Sequence, residues 1–305
     1  MPDFEVLVND TFLNLISPMT VLQADRKRLF AMANDFEDGK WRQIRFNDYV
    51  WNNIAQTALS ARERELLANK PASMLRKAAK NLRLTDADSD PGAGSELAEI
   101  VLYGVMRDYF DALPVVPKIF YKQNVNDYAK GADSVHIVLV GDEFTLWLGE
   151  AKFYKDIEDA RLAKIVASLT ELLSTDKLKK ENTIITNVSD INFLSIDDAM
   201  KKKIMSVLNS EMSIDTLKPI LNVPILLLYE CSLTKVATEL SESYRDAMRD
   251  HQISRAKAYF AKQIAALADT VHMYSLIRFH LIFFPVPDKK ICVDTFLSTA
   301  DKSGA

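Results

Sequence analysis

The sequence predicts a mixed α/β protein, with a helical N-terminal region followed by a core in which a mixed central sheet is flanked by helices. Two apolar, β-branched and aromatic runs, 134–140 and 144–148, are separated by the turn pair Gly141-Asp142 and predict a buried hairpin. The continuous apolar run 224–230 is typical of a central strand that is buried on both faces. Apolar residues at helical spacing dominate much of the remaining chain.

The N-terminal third is predicted to be mainly helical and to form its own domain over residues 1–84. Its expected elements are a strand over Phe4–Val8, a helix from Asp25 to Ala33, a helix from Asn47 to Leu59, a helix opened by the capping box Ser60-Ala61-Arg62-Glu63, and a helix beginning at Pro71. The Asp- and Gly-rich stretch 85–94 predicts a linker loop, and residues 95–305 are predicted to form the second domain.

The second domain is expected to add further helices and strands around the hairpin. The expected helices lie over 96–106 (with Ser95 as the N-cap), 157–173, 196–209 and 240–270, and the expected strands, besides the hairpin and the central strand, lie over 183–186 and 277–284. A helix directly after the hairpin would cover one face of the sheet.

Composition excludes several classes of protein. The 305-residue chain has a net charge of −4, whereas a protein that coats DNA would be basic, so any DNA contact is expected to be local or supplied by a partner. Two distant cysteines predict neither a disulfide framework nor a zinc site. No signal-type segment precedes the first strand, and no apolar run is long enough to cross a bilayer. We therefore expect a cytoplasmic protein without membrane contact.

The most informative motif is an acid at the start of the hairpin and a Glu-x-Lys at its end. Asp133 precedes the first strand, and Glu150 and Lys152 end the second strand on one face, because side chains two residues apart point the same way. The two ends of an antiparallel pair are neighbours, so the three groups should converge. Two carboxylates suit a hard cation such as Mg²⁺, and a lysine beside them can orient water or offset phosphate charge.

A fourth acidic residue, Glu99, lies near the start of the helix predicted over 96–106. Stabilisation of the helix N-terminus is the alternative explanation for an acid at this place, and we favour it for Glu96. For Glu99, we favour a role in the site. His136 is one strand position out of phase with Asp133 and is expected to be a core histidine rather than a catalytic base.

These residues resemble the motif of the PD-(D/E)xK nuclease superfamily, whose core is restriction-endonuclease-like. In that superfamily a helix carries a Glu, a strand carries the Asp, and the next strand carries the (D/E)xK. The resemblance implies catalytic roles for Glu99, Asp133, Glu150 and Lys152, with Asp133, Glu150 and Glu99 as ligands of Mg²⁺ or Mn²⁺.

The chain is also similar to HamA, the nuclease subunit family of Hachiman-type anti-phage systems, and to the related AbpA proteins. The similarity lies in 99–103, Pro117-Lys118, 130–136, 148–154 and Asp159-Ala160. It implies a superfamily 2 helicase-like ATPase, HamB-like, as the partner. The N-terminal helices are the expected docking surface, with Trp41 and Trp51 as exposed candidate anchors, because aromatic residues dominate interface hot spots. Packing in the core is the alternative explanation for Trp51.

The sequence thus predicts a metal-dependent DNA endonuclease or nickase, acting as the effector subunit of an anti-phage system under the control of a helicase-like partner. A non-catalytic subunit that docks on a partner and senses DNA is one alternative, and an RNA nuclease on the same core is another. There is no Gly-rich phosphate-binding loop, so any ATP-driven step would belong to a partner chain.

Overall fold

A computed structural model describes residues 4–15, 25–82, 95–122, 131–187, 189–209 and 211–304. Its strands are β1 (Glu5–Thr11), β2 (Lys27–Ala33), β3 (Phe36–Glu37), β4 (Lys40–Trp41), β5 (Leu113–Val116), β6 (Ser134–Val140), β7 (Glu143–Tyr154), β8 (Leu221–Glu230) and β9 (Arg278–Val286). Its helices are α1 (Gln43–Ala58), α2 (Ala61–Leu66), α3 (Pro71–Lys80), α4 (Ser95–Phe110), α5 (Lys118–Lys122), α6 (Asp159–Leu172), α7 (Thr175–Asn187), α8 (Asp198–Val207), α9 (Ser232–Val236), α10 (Glu242–Leu267) and α11 (Lys289–Gly304).

Seven strands form one mixed sheet in the order β1-β2-β9-β8-β7-β6-β5. The four central strands, β2, β9, β8 and β7, run parallel, whereas β1 on one side and β6 and β5 on the other pair antiparallel. The mixed α/β class with a mixed central sheet flanked by helices is therefore confirmed. The predicted hairpin is the β6–β7 pair, and the run 224–230 lies in the central strand β8.

Two apolar cores lie on the two faces of this sheet. Ile225 and Leu227 of β8 belong to the core that includes residues of α6 and α10, and Leu226 and Leu228 belong to the core that includes residues of α1, α4 and α11. Because alternate residues of β8 point to opposite faces and both faces are covered, the strand is apolar throughout. Within the described residues, no helix combines the length and the apolar character needed to cross a membrane.

The prediction of a helix from Asp25 to Ala33 was wrong, because residues 27–33 form β2. Leu29 and Ala31 lie in one core and Phe30 and Met32 in the other, so the segment is buried on both faces and has no polar stripe. A short run of this kind is ambiguous between helix and strand until its neighbours are known.

The prediction of a strand over 183–186 was also wrong, because these residues lie in α7. The buried face of α7 contains Leu178, Glu181, Asn182 and Ile185, at the spacing of a helix. The β-branched residues 183–186 have a high preference for strands, and the packing of the helix overrides it.

The N-terminal segment is less helical than predicted, since β1 and β2 precede its helices and belong to the same sheet as β5–β9. The predicted linker 85–94 lies outside the described residues, and the division at this point stays a prediction. Trp41 and Trp51 are not exposed: they are 9% and 8% accessible, and Trp51 packs against Phe296 with ring centroids 5.6 Å apart. Because both side chains are buried, neither can anchor a partner, and the prediction of exposed docking anchors was wrong.

Candidate functional site

Asp133, the residue before β6, holds the start of this strand against β7 by hydrogen bonds. Ser134 is paired with Gly149 in the hairpin register, and the Asp133 amide extends this pairing by donating to the Gly149 carbonyl at 2.8 Å. The Asp133 carboxylate turns back onto the same strand, where its Oδ2 accepts the Ala151 amide at 3.0 Å. Two bonds to β7 thus hold Asp133 beside the Glu150–Lys152 segment.

Gly149 allows helix α4 to approach this part of the hairpin. A β-carbon at position 149 would collide with Ser134 Oγ and would lie 2.8 Å from a methyl group of Leu102 on α4. Leu102 is three residues after Glu99 and therefore lies on a neighbouring part of the helix surface. The absence of a side chain at 149 lets α4 bring Glu99 to the site.

The structure brings all four predicted site residues together and adds a second lysine, Lys122, at the end of α5. Lys152 Nζ lies 2.6 Å from Glu150 Oε1 and 3.3 Å from Asp133 Oδ2. Lys122 Nζ lies 2.7 Å from Glu99 Oε1 and 3.5 Å from Asp133 Oδ1. The two ammonium groups therefore link three carboxylates in one chain of contacts, with Asp133 in the centre.

Burial shapes the protonation of these groups. Burial and the charge of Asp133 raise the pKa of Glu150 to about 7, although Lys152 opposes the shift. Burial also raises the pKa of Glu99 to about 7, against the effect of Lys122. For Asp133, the two lysines and the Ala151 amide outweigh burial and hold its pKa below the ordinary value. Asp133 is thus the carboxylate that stays ionised most firmly.

For the two ammonium groups, the charges of the neighbouring carboxylates outweigh burial. Although burial alone would lower the pKa of Lys152, Asp133 and Glu150 raise it above the ordinary value. The pKa of Lys122 is likewise raised by Glu99 and Asp133 against the effect of burial. Both lysines are therefore charged at neutral pH and act as fixed cations in the site.

Sequence reasoning missed Lys122. A signal was present, because Lys118 and Lys122 are four residues apart around the apolar Ile119-Phe120-Tyr121, and a helix would place both lysines on one side. Pro117-Lys118 enters the sequence prediction only through the family resemblance. The segment is too short for helical periodicity to be recognised, and the partners of its lysines lie elsewhere in the chain.

The carboxylates offer oxygen ligands, but they are not arranged around one point. Among the residues that the structure describes, no three His, Cys, Asp or Glu side chains lie close enough to hold one metal ion. Each carboxylate faces an ammonium group instead. Glu99 Oε2 is nevertheless buried without a hydrogen-bond partner in the described part of the chain, so it is free to accept a ligand. The donor set fits a hard divalent cation, and the lysines compete with such a cation for it.

His136 is placed as predicted, in the core rather than in the site. It is 1% accessible, its ring lies 4.5 Å from that of Tyr103, and burial lowers its pKa to about 3. Neither ring nitrogen has a hydrogen-bond partner within the described ranges. A neutral, enclosed imidazole of this kind is not a base for chemistry at the surface of the hairpin.

Comparison with known proteins identifies the family of this chain. None of the curated proteins matches this sequence significantly. A family model described as HamA matches residues 9–300, which include every residue of the site. Because the match covers nearly the whole chain, the protein belongs to the HamA family, a component of the Hachiman anti-phage defence systems.

Proposed function

We propose that this chain is a metal-dependent DNA endonuclease or nickase and that it is the effector subunit of its defence system. One observation carries the proposal: Lys152 contacts both Asp133 and Glu150 at one end of the β6–β7 hairpin, and Lys122 connects Glu99 to Asp133. Acidic oxygen ligands next to a fixed ammonium group are the parts that hydrolysis of a phosphodiester requires.

In this proposal, Asp133 and Glu150 would hold Mg²⁺ or Mn²⁺, and Glu99 would help position the ion or its water. The bound ion would act as a Lewis acid on the phosphate and would lower the pKa of a bound water. Lys152, which is 28% accessible, would orient the attacking water and offset the negative charge that develops on the phosphate. Asp133 keeps Lys152 charged and in place through the 3.3 Å contact.

A scaffold without catalytic activity explains the site less well. Glu99 on α4 and Glu150 on β7 are 4% and 6% accessible, and burial of these carboxylates costs free energy that docking does not require. The functional test is cleavage of plasmid DNA and of RNA by the chain, alone and with the product of the neighbouring gene, with and without Mg²⁺. Cleavage of RNA alone would assign the site to an RNA nuclease, and no cleavage under any condition would overturn the proposal.

Lys122 is expected to compete with the metal ion for Glu99 and Asp133. We expect Lys122→Met to strengthen Mn²⁺ binding several-fold, because it removes an ammonium group from the place where a divalent cation would be attracted. The affinity should be measured by titration calorimetry at about pH 8.5, so that protonation of Glu99 does not mask the effect. Lys203→Met, which removes an exposed lysine paired with Glu143 at the other end of β7, is the matched control. Weaker binding by Lys122→Met would show that Lys122 assists the ion.

We further propose that a helicase-like ATPase partner brings the DNA and controls cleavage. The net charge of −4 gives the chain alone little attraction for nucleic acid. We expect the tagged full-length chain to co-purify with the proposed helicase-like ATPase when the two are co-expressed, and we expect Glu150→Gln to co-purify equally, because Glu150 is buried in the site. Truncation at residue 84 is unsuitable, because it would remove β1 and β2 from the sheet. Purification of the chain as a lone and fully active nuclease would contradict partner control.

A further inference from the structure

A completely buried ion pair lies next to the candidate site and has no part in the chemistry described above. Lys118 at the start of α5 and Glu181 in α7 are both 0% accessible, and Lys118 Nζ lies 3.0 Å and 2.7 Å from the two oxygens of the Glu181 carboxylate. The desolvation of two charges offsets most of their attraction, so such a pair is a poor means of stabilising a fold. Its position suggests a different purpose.

Glu181 also holds the backbone that leads into Asp133. Its Oε1 accepts the Ala132 amide at 2.8 Å. A β-carbon at Gly131 would overlap the same oxygen, so only glycine lets the chain pass this close to the carboxylate. The next amide, that of Asp133, donates to Gly149 on β7. Glu181 on one side and β7 on the other thus clamp residues 131–133.

Lys118 connects this clamp to the rest of the site. Its amide donates to Tyr103 Oη at 3.3 Å, and Tyr103 is one helical turn after Glu99 on α4. One turn along α5, Lys122 reaches the carboxylates of Glu99 and Asp133. The elements that carry Glu99, Asp133 and Lys122 therefore all meet at the Lys118–Glu181 pair.

We propose that the Lys118–Glu181 pair is a positioning device: through the Ala132 amide it sets the Asp133 carboxylate on β7, in the placement from which a divalent cation can be bound. The part that concerns the cation rests on the proposed function. The part that concerns placement does not, because the bond from the Ala151 amide to Asp133 Oδ2 reports where the carboxylate lies without any metal.

Two double variants separate positioning from loss of charge. Lys118→Met with Glu181→Leu removes both charges and the acceptor for the Ala132 amide. Lys118→Met with Glu181→Gln removes both charges but keeps an acceptor oxygen. Neither leaves a lone charge buried, which is the change that most often prevents folding. The control is Lys218→Met, which removes an ion pair with Asp215. Lys218 lies just before β8, so this variant tests the loss of an ion pair elsewhere in the chain.

Amide hydrogen exchange of Ala132 and Ala151 and Mn²⁺ titration are measured on the full chain, with thermal unfolding as the check on folding. We expect the Leu double variant to lose protection at both amides and to bind Mn²⁺ at least about tenfold more weakly, as is usual when a group that orients a ligand is removed. The Gln double variant keeps the acceptor oxygen, so its Mn²⁺ affinity should stay within about threefold of that of the wild type. The Lys218→Met control should match the wild type in both measurements.

A folded Leu double variant with wild-type protection at Ala151 and wild-type Mn²⁺ affinity would overturn the proposal and leave the proposed function intact. Lost protection at Ala151 in a protein whose wild type binds no Mn²⁺ would support the positioning role and overturn the metal site instead. If the Leu variant fails to fold, Gly131→Ala provides the same test, because its methyl group must displace Glu181. Wild-type exchange and affinity in Gly131→Ala would then reject the device.

Discussion

Glu150→Gln and Lys152→Met are each expected to reduce DNA cleavage by at least about 10³-fold, or about 4 kcal/mol of transition-state stabilisation. Glu150→Gln keeps the shape of the side chain and removes a charged ligand. Lys152→Met removes the ammonium group 2.6 Å from Glu150 and 3.3 Å from Asp133. Initial rates of plasmid nicking by the chain with its partner and Mg²⁺ provide the measurement.

An ion pair between the turn end of β7 and α8 provides the controls for this experiment. Glu143→Gln and Lys203→Met make the same chemical changes at the exposed turn end of β7, where Glu143 pairs with Lys203, and should leave the rate unchanged. Far-UV circular dichroism and the melting temperature should show that all four variants fold. Cleavage at the wild-type rate by the Glu150→Gln, Lys152→Met double variant would disprove the assignment of these residues as the catalytic site.

The convergence of Asp133 and Glu150 could be derived from the sequence because it depends only on local rules. Strand alternation puts Glu150 and Lys152 on one face, and the Gly141-Asp142 turn brings Asp133 alongside them. Both rules operate within about twenty residues of chain, and the structure follows them. Local rules favour Glu99 for the site but do not place it, since its position depends on how α4 packs against the sheet at Gly149.

The remaining parts of the site depend on contacts that no local pattern encodes. Glu181 lies 63 residues from its partner Lys118, and its helix was predicted as a strand because residues 183–186 are β-branched. Lys122 ends a helix of five residues, which is too short to show a period. The strand β2 was mistaken for a helix because a short buried run is ambiguous, and its parallel neighbour β9 comes from a distant part of the chain. Tertiary packing decided each of these cases.

Removal of divalent metal is expected to abolish cleavage completely, and addition of Mg²⁺ or Mn²⁺ should restore it. Carboxylate oxygens suit these ions, whereas Zn²⁺ favours nitrogen and sulfur ligands and should restore little activity. Because burial raises the pKa of both Glu99 and Glu150 to about 7, protons compete with the ion near neutral pH. We therefore expect Mn²⁺ affinity to rise from pH 6 to pH 8 as these two carboxyl groups ionise.

The pH dependence connects metal binding to these particular carboxylates. In Glu150→Gln, one titrating group is lost, so the remaining Mn²⁺ binding should be weaker and its dependence on pH shallower than in the wild type. In Glu143→Gln, which changes an exposed acid at the other end of β7, both properties should be unchanged. Titration calorimetry of the three proteins across this pH range, with EDTA-treated enzyme as the starting state, provides the comparison. Two results would contradict this: full cleavage in excess EDTA, or a dependence of Mn²⁺ binding on pH that Glu150→Gln leaves unaltered. Either would mean that the carboxylates around Asp133 do not hold the ion. Their contacts with Lys122 and Lys152 would then serve the fold alone.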